Sequence, residues 1–242
     1  MQLSKSLLAF FLKRKYFFLA VISFIFWVGL LYQFDHQYQV KSISIVGASQ
    51  SEPVVGTTTL KGKHIWMIDT LTVAERINTI NPSYVVKEVQ KKYPNELLII
   101  VRRLYPSAYL DVGNGYILLS KEGNILQKDR KIKQDTIPII SYYQDMPYSG
   151  FQVGSRIDKK DIRDVLYFIE VIKSAKEKVV SIDIAGYHML GLYTDTHEYL
   201  FSSEKERELQ LYQFKEAIKQ FQIQGLKYSR IDFRFDKPVV KF

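Results

Sequence analysis

The strongest hydrophobic pattern in the chain is an uncharged run of 19 residues near its start, residues 16–34, with the sequence YFFLAVISFIFWVGLLYQF. A helix of that length spans about 28 Å, which is just enough to cross the hydrocarbon core of a bilayer. Basic residues at positions 13–15 precede the run and Asp35 follows it, so the positive-inside rule predicts a cytoplasmic N-terminus. We therefore expect a cytoplasmic tail over residues 1–15, a transmembrane helix over residues 16–34 and an exported remainder.

A cleaved signal peptide and a buried core helix are the two alternatives to such an anchor. A signal peptide has a shorter apolar region, of about 7 to 15 residues, and ends at a site of small residues. The segment QFDHQYQVKS that follows the run offers no pair of small residues for cleavage. The pattern therefore favours an uncleaved anchor.

The first part of the expected exported region alternates between strand and helix patterns. Residues 40–48 alternate and stop at a glycine, which predicts a half-buried strand, and residues 49–59 predict a loop or one poor helical turn. Residues 71–80 place apolar side chains on one helical face before an Asn-Pro breaker. A strand over residues 84–92, a turn and an apolar run over residues 97–101 predict a hairpin. This order predicts helices packed on one face of a small mixed sheet.

The region after residue 106 is richer in strand patterns and carries two amphipathic helices. Asp158 is placed to cap the first helix, and a capping box formed by Ser203 and Glu206 opens the second, which stops at Gly225. The apolar stripes of the two helices contain Ile162, Val165, Leu166, Ile169 and Ile172, and Leu211, Phe214, Ile218 and Phe221. Short strands are predicted over residues 116–119, 125–127, 137–143, 179–184, 190–194 and 199–202. The fold class expected for the whole chain is therefore α+β.

The end of the chain, from Tyr228 to Phe242, predicts one further strand with two different faces. Apolar side chains alternate there with charged ones, and at least one of Phe233 and Phe235 is expected in the core. Pro238 lacks a backbone N–H group, which suits a strand at the edge of a sheet and excludes a central one.

The amino-acid composition bears on the possible neighbours of the protein and leaves the predicted fold unchanged. The formal net charge is +9, with an isoelectric point near 9.4, which favours nucleic acid, anionic lipid or an acidic envelope polymer as a neighbour without choosing among them. A basic face is possible on the predicted hairpin, at Lys87, Lys91, Lys92, Arg102 and Arg103. An exported domain meets envelope anions before nucleic acid, so we expect solvated charge or envelope anions there and no nucleic acid.

A search for catalytic or metal-binding chemistry finds no motif. The chain has no cysteine, and its four histidines are spaced too far apart to predict a metal site. Asp183, Asp195 and Glu198 could converge as paired carboxylates, but ordinary strand alternation predicts a solvated face for them. Neither a nucleophile elbow nor a phosphate-binding loop occurs. We expect no enzyme, no cofactor, no metal and no small-molecule substrate.

Several short motifs follow one another in a fixed order along the chain. The opening strand has the pattern Val40-x-x-Ile43-x-Ile45-x-Gly47, and a glycine-plus-apolar segment runs from Gly62 to Asp69. The hairpin and its exit carry Tyr93-Pro94-Asn95-Glu96-Leu97 and Pro106-Ser107-Ala108, the turn between two short strands is Leu118 to Ile125, and the end carries Ile231 to Phe235. In this order the motifs resemble those of the FtsQ/DivIB family of cell-division proteins. Two departures are Arg103-Leu104, where the family usually has Glu-Arg, and SEPVVGTTT, which is a poor first helix.

The resemblance implies a small POTRA domain (β-α-α-β-β) over residues 38–106 and a β-rich domain with two helices over residues 107–242. It also implies a plasma-membrane scaffold of the division septum that binds FtsB/DivIC-like and FtsL-like partners and promotes septal peptidoglycan synthesis. In such proteins a partner strand adds to the last strand, which matches Arg234, Phe235, Asp236, Val239, Val240 and Phe242 here. Two alternatives remain, a POTRA-type chaperone or insertase of the envelope and a membrane-anchored envelope enzyme.

Overall fold

The computed structural model describes residues 22–30, 33, 35–49 and 52–242. Among them, residues 22–30 are helical and exposed. The expected cytoplasmic tail and the remaining positions of the expected membrane span, residues 16–21, 31, 32 and 34, lie outside the described residues. Within the described part of the chain, no helix combines the length and the apolar character needed to cross a membrane.

The chain forms two compact units. The first contains the described residues up to Gly47 together with Val55–Glu75 and Val86–Val101. The second contains Ala48–Val54, Arg76–Val85 and Arg102–Phe242. The described residues combine a few helices with two sheets, so the α+β class expected from the sequence is confirmed.

A three-stranded sheet is built from β1 (Ser42–Val46), β2 (Tyr84–Lys92) and β3 (Glu96–Arg103) in the order β1-β3-β2. β1 runs parallel to β3, with Ile43 opposite Leu97 and Ile45 opposite Ile99. Alternate residues of β3 are buried because a strand sends successive side chains to opposite faces. The expected strands therefore form close to the expected positions.

The helix α1 (Thr70–Ile80) matches the amphipathic segment predicted from the sequence. Asp69 caps it: the two carboxylate oxygens accept from the N–H groups of Leu71 (3.2 Å) and Thr72 (3.3 Å). The hydrogen bond from the Thr72 hydroxyl and these two N–H groups lower the pKa of Asp69. Between β1 and α1, the described residues form two short 3₁₀ turns, Thr58–Leu60 and Ile65–Met67, so the poor helical turn expected after β1 is what forms.

A nine-stranded mixed sheet makes up most of the second unit. Its strands lie in the order β12-β11-β10-β9-β8-β7-β4-β5-β6. Their bounds are β4 (Pro106–Asp111), β5 (Tyr116–Ser120), β6 (Ile125–Asp129), β7 (Ile139–Tyr142), β8 (Val179–Gly186), β9 (Met189–Thr194), β10 (Glu198–Phe201), β11 (Arg230–Asp232) and β12 (Val239–Lys241). The strand β4 has no counterpart in the sequence prediction, which treated Pro106 as the exit from a hairpin.

Two helices, α2 (Lys160–Ser174) and α3 (Arg207–Gln224), contribute to one core with this sheet. The apolar stripe predicted for α2 is fully buried. On α3, Phe214 and Ile218 are buried, and the helix ends where Gly225 takes a left-handed conformation with φ +63°. Both predicted stripes are confirmed, because helical spacing determines which side chains share a face.

The predicted caps of both helices are wrong. Asp158 is 92% exposed and pairs with Arg163 (3.1 Å), while Lys159 precedes the first turn of α2 without a side-chain cap. Ser203 is buried and Glu206 makes no capping hydrogen bond. The buried amide of Gln210 instead reaches back to Ser202, accepting from its N–H (2.9 Å) and donating to its C=O (2.8 Å). This side chain, from the fourth position of α3, fixes the start of the helix.

Candidate partner-binding edge

The terminal segment forms a hairpin of two short strands, and the expectation of one continuous strand from Tyr228 to Phe242 is wrong. β11 runs parallel to β10, and β12 returns antiparallel to β11. Between them, the N–H of Phe233 donates to the C=O of Leu200 (2.8 Å), and the Phe233 ring stacks on Phe201 with centroids 5.1 Å apart. Burial of this one side chain draws the chain into the core and out of strand geometry.

Two side chains, one just before α3 and one in its second turn, hold residues 233–238 in place. The ammonium of Lys205 donates to the C=O groups of Phe233 (3.0 Å) and Phe235 (2.5 Å). The amide of Gln213 donates to the C=O of Asp236 (2.6 Å). These contacts turn the chain so that β12 can pair with β11. No local sequence pattern points to either residue, because both act from more than 20 positions away.

A carboxylate and a guanidinium close the same turn. The Arg234 guanidinium donates to both oxygens of Asp232, with Nε 2.9 Å from Oδ1 and Nη2 2.5 Å from Oδ2. Asp232 also accepts from the backbone N–H of Arg234 (3.1 Å). Planar two-point pairing of this kind fixes orientation as well as distance. Arg234 therefore stabilises the turn by binding Asp232, although part of its side chain reaches the surface.

β12 is the last strand of the nine-stranded sheet and has β11 as its one strand neighbour among the described residues. The N–H of Ser229 donates to the C=O of Lys241 (2.8 Å), so the backbone groups of Lys241 face β11. Because these directions alternate along a strand, the N–H and C=O groups of Val240 face away from the sheet. They are placed where an added strand would pair.

The six side chains predicted for partner binding fall into two groups. Phe235 (53% exposed), Val239 (54%) and Phe242 (73%) are large apolar side chains in contact with solvent, and Asp236 is exposed beside them. Val240 packs partly against the core, and Arg234 is engaged by Asp232. The structure thus brings three apolar side chains to the outside of one hairpin. Val240 and Arg234 instead contact the rest of the protein and help to hold the hairpin in place.

The opposite edge of the sheet, β6, is covered by the segment that precedes α2. The N–H of Ile125 donates to the C=O of Ser155 (2.8 Å), and the N–H of Gly154 donates to the C=O of Ile125 (2.9 Å). The ammonium of Lys128 donates to the C=O groups of Tyr148 (2.7 Å) and Phe151 (2.8 Å). Covering an edge in this way blocks the addition of a further strand. The C-terminal end of the sheet is the one suited to strand addition.

The candidate carboxylates give a solvated surface. Asp183 and Asp195 are exposed, and Glu198 accepts from the Arg230 guanidinium (2.6 Å). Strand register places Asp183 and Glu198 on the same face of the sheet as Tyr193. Burial raises the pKa of Tyr193, and the charges of these two carboxylates add to the rise. This ion-paired, solvated arrangement is ordinary for the outer face of an antiparallel sheet.

The histidines are dispersed among different carboxylate partners. His64 lies 3.5 Å from Asp35, His188 lies 3.1 Å from Glu204, and His197 lies 3.1 Å from Glu177. Across the described residues, no group of three or more potential metal ligands comes together.

The fold and the hairpin define a mixed α+β protein that presents a C-terminal edge strand beside exposed apolar side chains. Two curated relatives are similar to it, both named Cell division protein DivIB and both from Clostridium botulinum. The protein of strain Hall is 29% identical and that of strain Loch Maree 28% identical, each over 159 residues and 63% of this chain. These relatives support placing the chain in the FtsQ/DivIB family, which confirms the resemblance found in the sequence.

The match spans 60% of the length of each relative. No protein-family model matches the chain.

Proposed function

We propose that this protein is a non-enzymatic scaffold of the bacterial cell-division complex that binds bitopic partners of the FtsB/DivIC and FtsL types. The two DivIB relatives support the division role. The position of β12 at the open edge of the sheet is the observation that carries the binding role. An added strand would pair with the outward N–H and C=O groups of Val240, and alternate side chains would supply specificity.

The exposed apolar side chains support the same surface. Phe235, Val239 and Phe242 are each more than half exposed on one short hairpin, although burial of such side chains is worth about 1.5–3 kcal/mol each. A cluster of large apolar side chains at a sheet edge is suited to the centre of an interface. Asp236 and Arg234 would lie at its polar rim.

The rest of the chain would hold this edge outside the membrane at the division septum. Residues 38–106 would form a POTRA domain and residues 107–242 the β-rich domain that carries the binding edge. Residues 16–34 would anchor the protein in the plasma membrane, with residues 1–15 in the cytoplasm and both domains outside at the septum. The scaffold would promote septal peptidoglycan synthesis through its partners and would itself need no cofactor or metal.

Co-purification of the full-length protein with DivIC-like and FtsL-like partners in detergent tests this function. The informative variant is Phe235→Glu with Val239→Glu, which places two negative charges on the apolar surface. The matched control is Leu209→Glu with Ile223→Glu, since both of these α3 side chains are also exposed (45% and 75%). The proposal predicts loss of the partners with the first pair only. Equal recovery from both double variants would refute the terminal edge as the binding surface.

A further inference from the structure

One end of the three-stranded sheet carries a cluster of aromatic side chains. It is the end at which the chain enters β1 from residues 35–37, which are helical and directly follow the proposed anchor. The ring centres of Tyr38 and Trp66 lie 4.9 Å apart, and those of His64 and Trp66 lie 5.4 Å apart. His64 also lies 3.5 Å from Asp35, the first residue after the proposed span. The cluster therefore packs beside the point where the chain would leave the membrane.

Backbone hydrogen bonds fix the position of Trp66 in this cluster. The N–H of Ile65 donates to the C=O of Tyr38 (2.9 Å), and the N–H of Val40 donates to the C=O of Lys63 (2.9 Å). These bonds pair the segment before Trp66 with the residues that follow the anchor. The side chain of Ile65 is fully buried and holds the segment on the first unit. The distance from Trp66 to the end of the anchor is therefore set by the fold.

Large apolar side chains at this end of the sheet are in contact with solvent. Trp66 is 60% exposed and Met67 is 87% exposed. Tyr93, in the turn between β2 and β3, is 58% exposed. That turn lies at the same end of the sheet, because the C=O of Asn95 accepts from the N–H of Lys41, which directly precedes β1 (2.9 Å). Neighbouring exposed side chains of this size mark a surface that meets a protein or a membrane.

Lysine side chains surround the same surface. The ammonium of Lys91 donates to the C=O of Trp66 (3.4 Å). The carboxylate of Asp69, which lies near Lys91, is engaged as the cap of α1. Four more lysines lie at this end of the sheet and are exposed: Lys41, Lys61, Lys63 and Lys92. A surface of apolar and basic side chains is complementary to anionic lipid, which offers acyl chains and phosphate groups together.

The dimensions of the cluster match those of a bilayer surface. Helical residues carry the chain from Asp35 to Tyr38, which is a rise of about 5 Å. The headgroup layer is about 5–7 Å thick on each side of the hydrocarbon core. With residues 16–34 across that core, Tyr38 and the Trp66 ring beside it lie in the headgroup layer, where such rings are favoured. A protein partner would have to enter between the cluster and the bilayer, so lipid is the occupant that the geometry favours.

We propose that this end of the sheet docks on the outer leaflet of the membrane and binds anionic lipid there. Trp66 and Tyr38 lie among the headgroups, Met67 contacts the upper part of the acyl chains, and the lysines pair with phosphate groups. The inference rests on the anchor of the proposed function. It adds a second membrane contact, which holds the first unit against the bilayer.

Tryptophan fluorescence tests the inference, because the chain contains two tryptophans, Trp27 in the proposed anchor and Trp66. Trp27→Phe leaves Trp66 as the sole reporter, and Trp66→Phe leaves Trp27. Each full-length protein is placed in nanodiscs of phosphatidylglycerol and phosphatidylcholine that contain brominated lipid, since bromine quenches tryptophan at contact range. We expect Trp66 to be quenched more strongly by bromine near the headgroup end of the acyl chains. Trp27, near the middle of the span, should be quenched more strongly by bromine near the chain ends.

One variant and a matched control locate the contact on the protein. Met67→Glu places a charge where the acyl chains would lie, so in the Trp27→Phe protein it should reduce the quenching of Trp66. Val46→Glu is the control, because Val46 is also exposed (53%) and lies opposite Ile100, about 13 Å from the start of β1. It should leave the quenching unchanged. Both positions are exposed, so circular dichroism should show an unchanged fold.

The charge of the lipid and of the lysines tests the second half of the proposal. Nanodiscs of phosphatidylcholine alone should reduce the quenching of Trp66 and leave that of Trp27 as it was. Lys61→Gln with Lys63→Gln should give the same reduction in nanodiscs that contain phosphatidylglycerol. Lys219→Gln, at an exposed position of α3, should not.

Each of three results would overturn the proposal: an unquenched Trp66 in discs where Trp27 is quenched, equal effects of Met67→Glu and Val46→Glu, or equal quenching of Trp66 in anionic and neutral discs. An unquenched Trp27 would overturn the proposed anchor and this inference with it. The two failures are therefore told apart by which tryptophan escapes quenching.

Discussion

Val240 lies directly opposite Ile231 across the antiparallel pairing of β11 and β12. Ile231 is fully buried in the main core, and Val240 packs partly against that core from the last strand. The edge strand is therefore held by an inward side chain while its outward backbone groups remain in position for a further strand.

Loss of the Arg234 guanidinium should loosen the turn between β11 and β12. Arg234→Ala leaves the nearly buried Asp232 carboxylate without its two-point partner, so the free energy of unfolding should fall by about 1–2 kcal/mol. Arg230→Ala is the matched control, since it breaks a more exposed pair with Glu198 and should cost about 0.5 kcal/mol. Urea denaturation of both variants measures the difference, and equal losses would mean that the turn does not depend on Arg234.

The buried Asp164 should contribute more to stability than the exposed Asp158, although both carboxylates pair with basic side chains. Asp164 is inaccessible to solvent and contacts Arg207 and Lys160, the latter at 3.5 Å. Asp164→Ala leaves these two cations without their shared partner and should lower the free energy of unfolding by about 2 kcal/mol. Asp158→Ala, which disrupts a pair at the surface, should change it by less than about 0.5 kcal/mol. Thermal denaturation followed by circular dichroism separates the two outcomes.

Gly47 should tolerate no side chain. Its φ is +91°, and a Cβ atom built there would lie 2.0 Å from the C=O oxygen of Val101. Gly47→Ala should therefore cost about 3 kcal/mol or more, since both backbone strain and overlap must be relieved. Gly62 has a similar φ of +78° with open space around it, so Gly62→Ala should cost only about 1 kcal/mol of strain. Equal destabilisation of the two variants would show that overlap at Val101 is not the deciding term.

Stability should fall in alkaline solution because of Tyr199. Burial raises its pKa above the ordinary value of about 10, and hydrogen bonds with Tyr228 (2.9 Å) and Glu177 (2.7 Å) raise it further. The folded state holds the phenolic proton more tightly than the unfolded state does, so this contribution is complete below pH of about 10 and is lost as the pH rises above it.

Tyr199→Phe should therefore flatten the alkaline part of the stability profile. At neutral pH it should also cost about 1–2 kcal/mol, because Glu177 loses a buried donor. Urea denaturation between pH 7 and about pH 11, compared with wild type, measures both effects. Other tyrosines with raised pKa values add to the wild-type slope, so the difference between the two proteins is the relevant quantity. A difference that does not change with pH would contradict the assignment to Tyr199.

Local patterns in the sequence predicted the elements well where one face of an element meets the core. The stripe of α2 is an example, because the positions of Ile162, Val165 and Ile169 follow from helical spacing alone. The cap of α3 could not be predicted, since the buried amide of Gln210 replaces the expected capping box through contacts with Ser202. β4 was missed because Pro106 resembles a break, although it is the first residue of a strand, where a proline is tolerated.

The candidate binding edge, too, could be predicted only where local patterns determine it and not where distant contacts do. Pro238 predicts the edge position of the terminal strand, and the resemblance to the FtsQ/DivIB family points to Phe242. The hairpin could not be predicted, because Lys205 and Gln213 turn the chain by binding carbonyl groups far along the sequence.

The affinity of a Val240→Pro variant for the DivIC-like partner tests the central claim most directly. Proline removes the N–H of Val240, which faces away from β11, so the hairpin should form while a partner strand loses a hydrogen bond and meets the proline ring. Titration of the full-length protein in nanodiscs should give a dissociation constant raised by about tenfold or more, with an unchanged cooperative unfolding transition. A dissociation constant equal to that of the wild type, in a variant that unfolds normally, would contradict strand addition at β12.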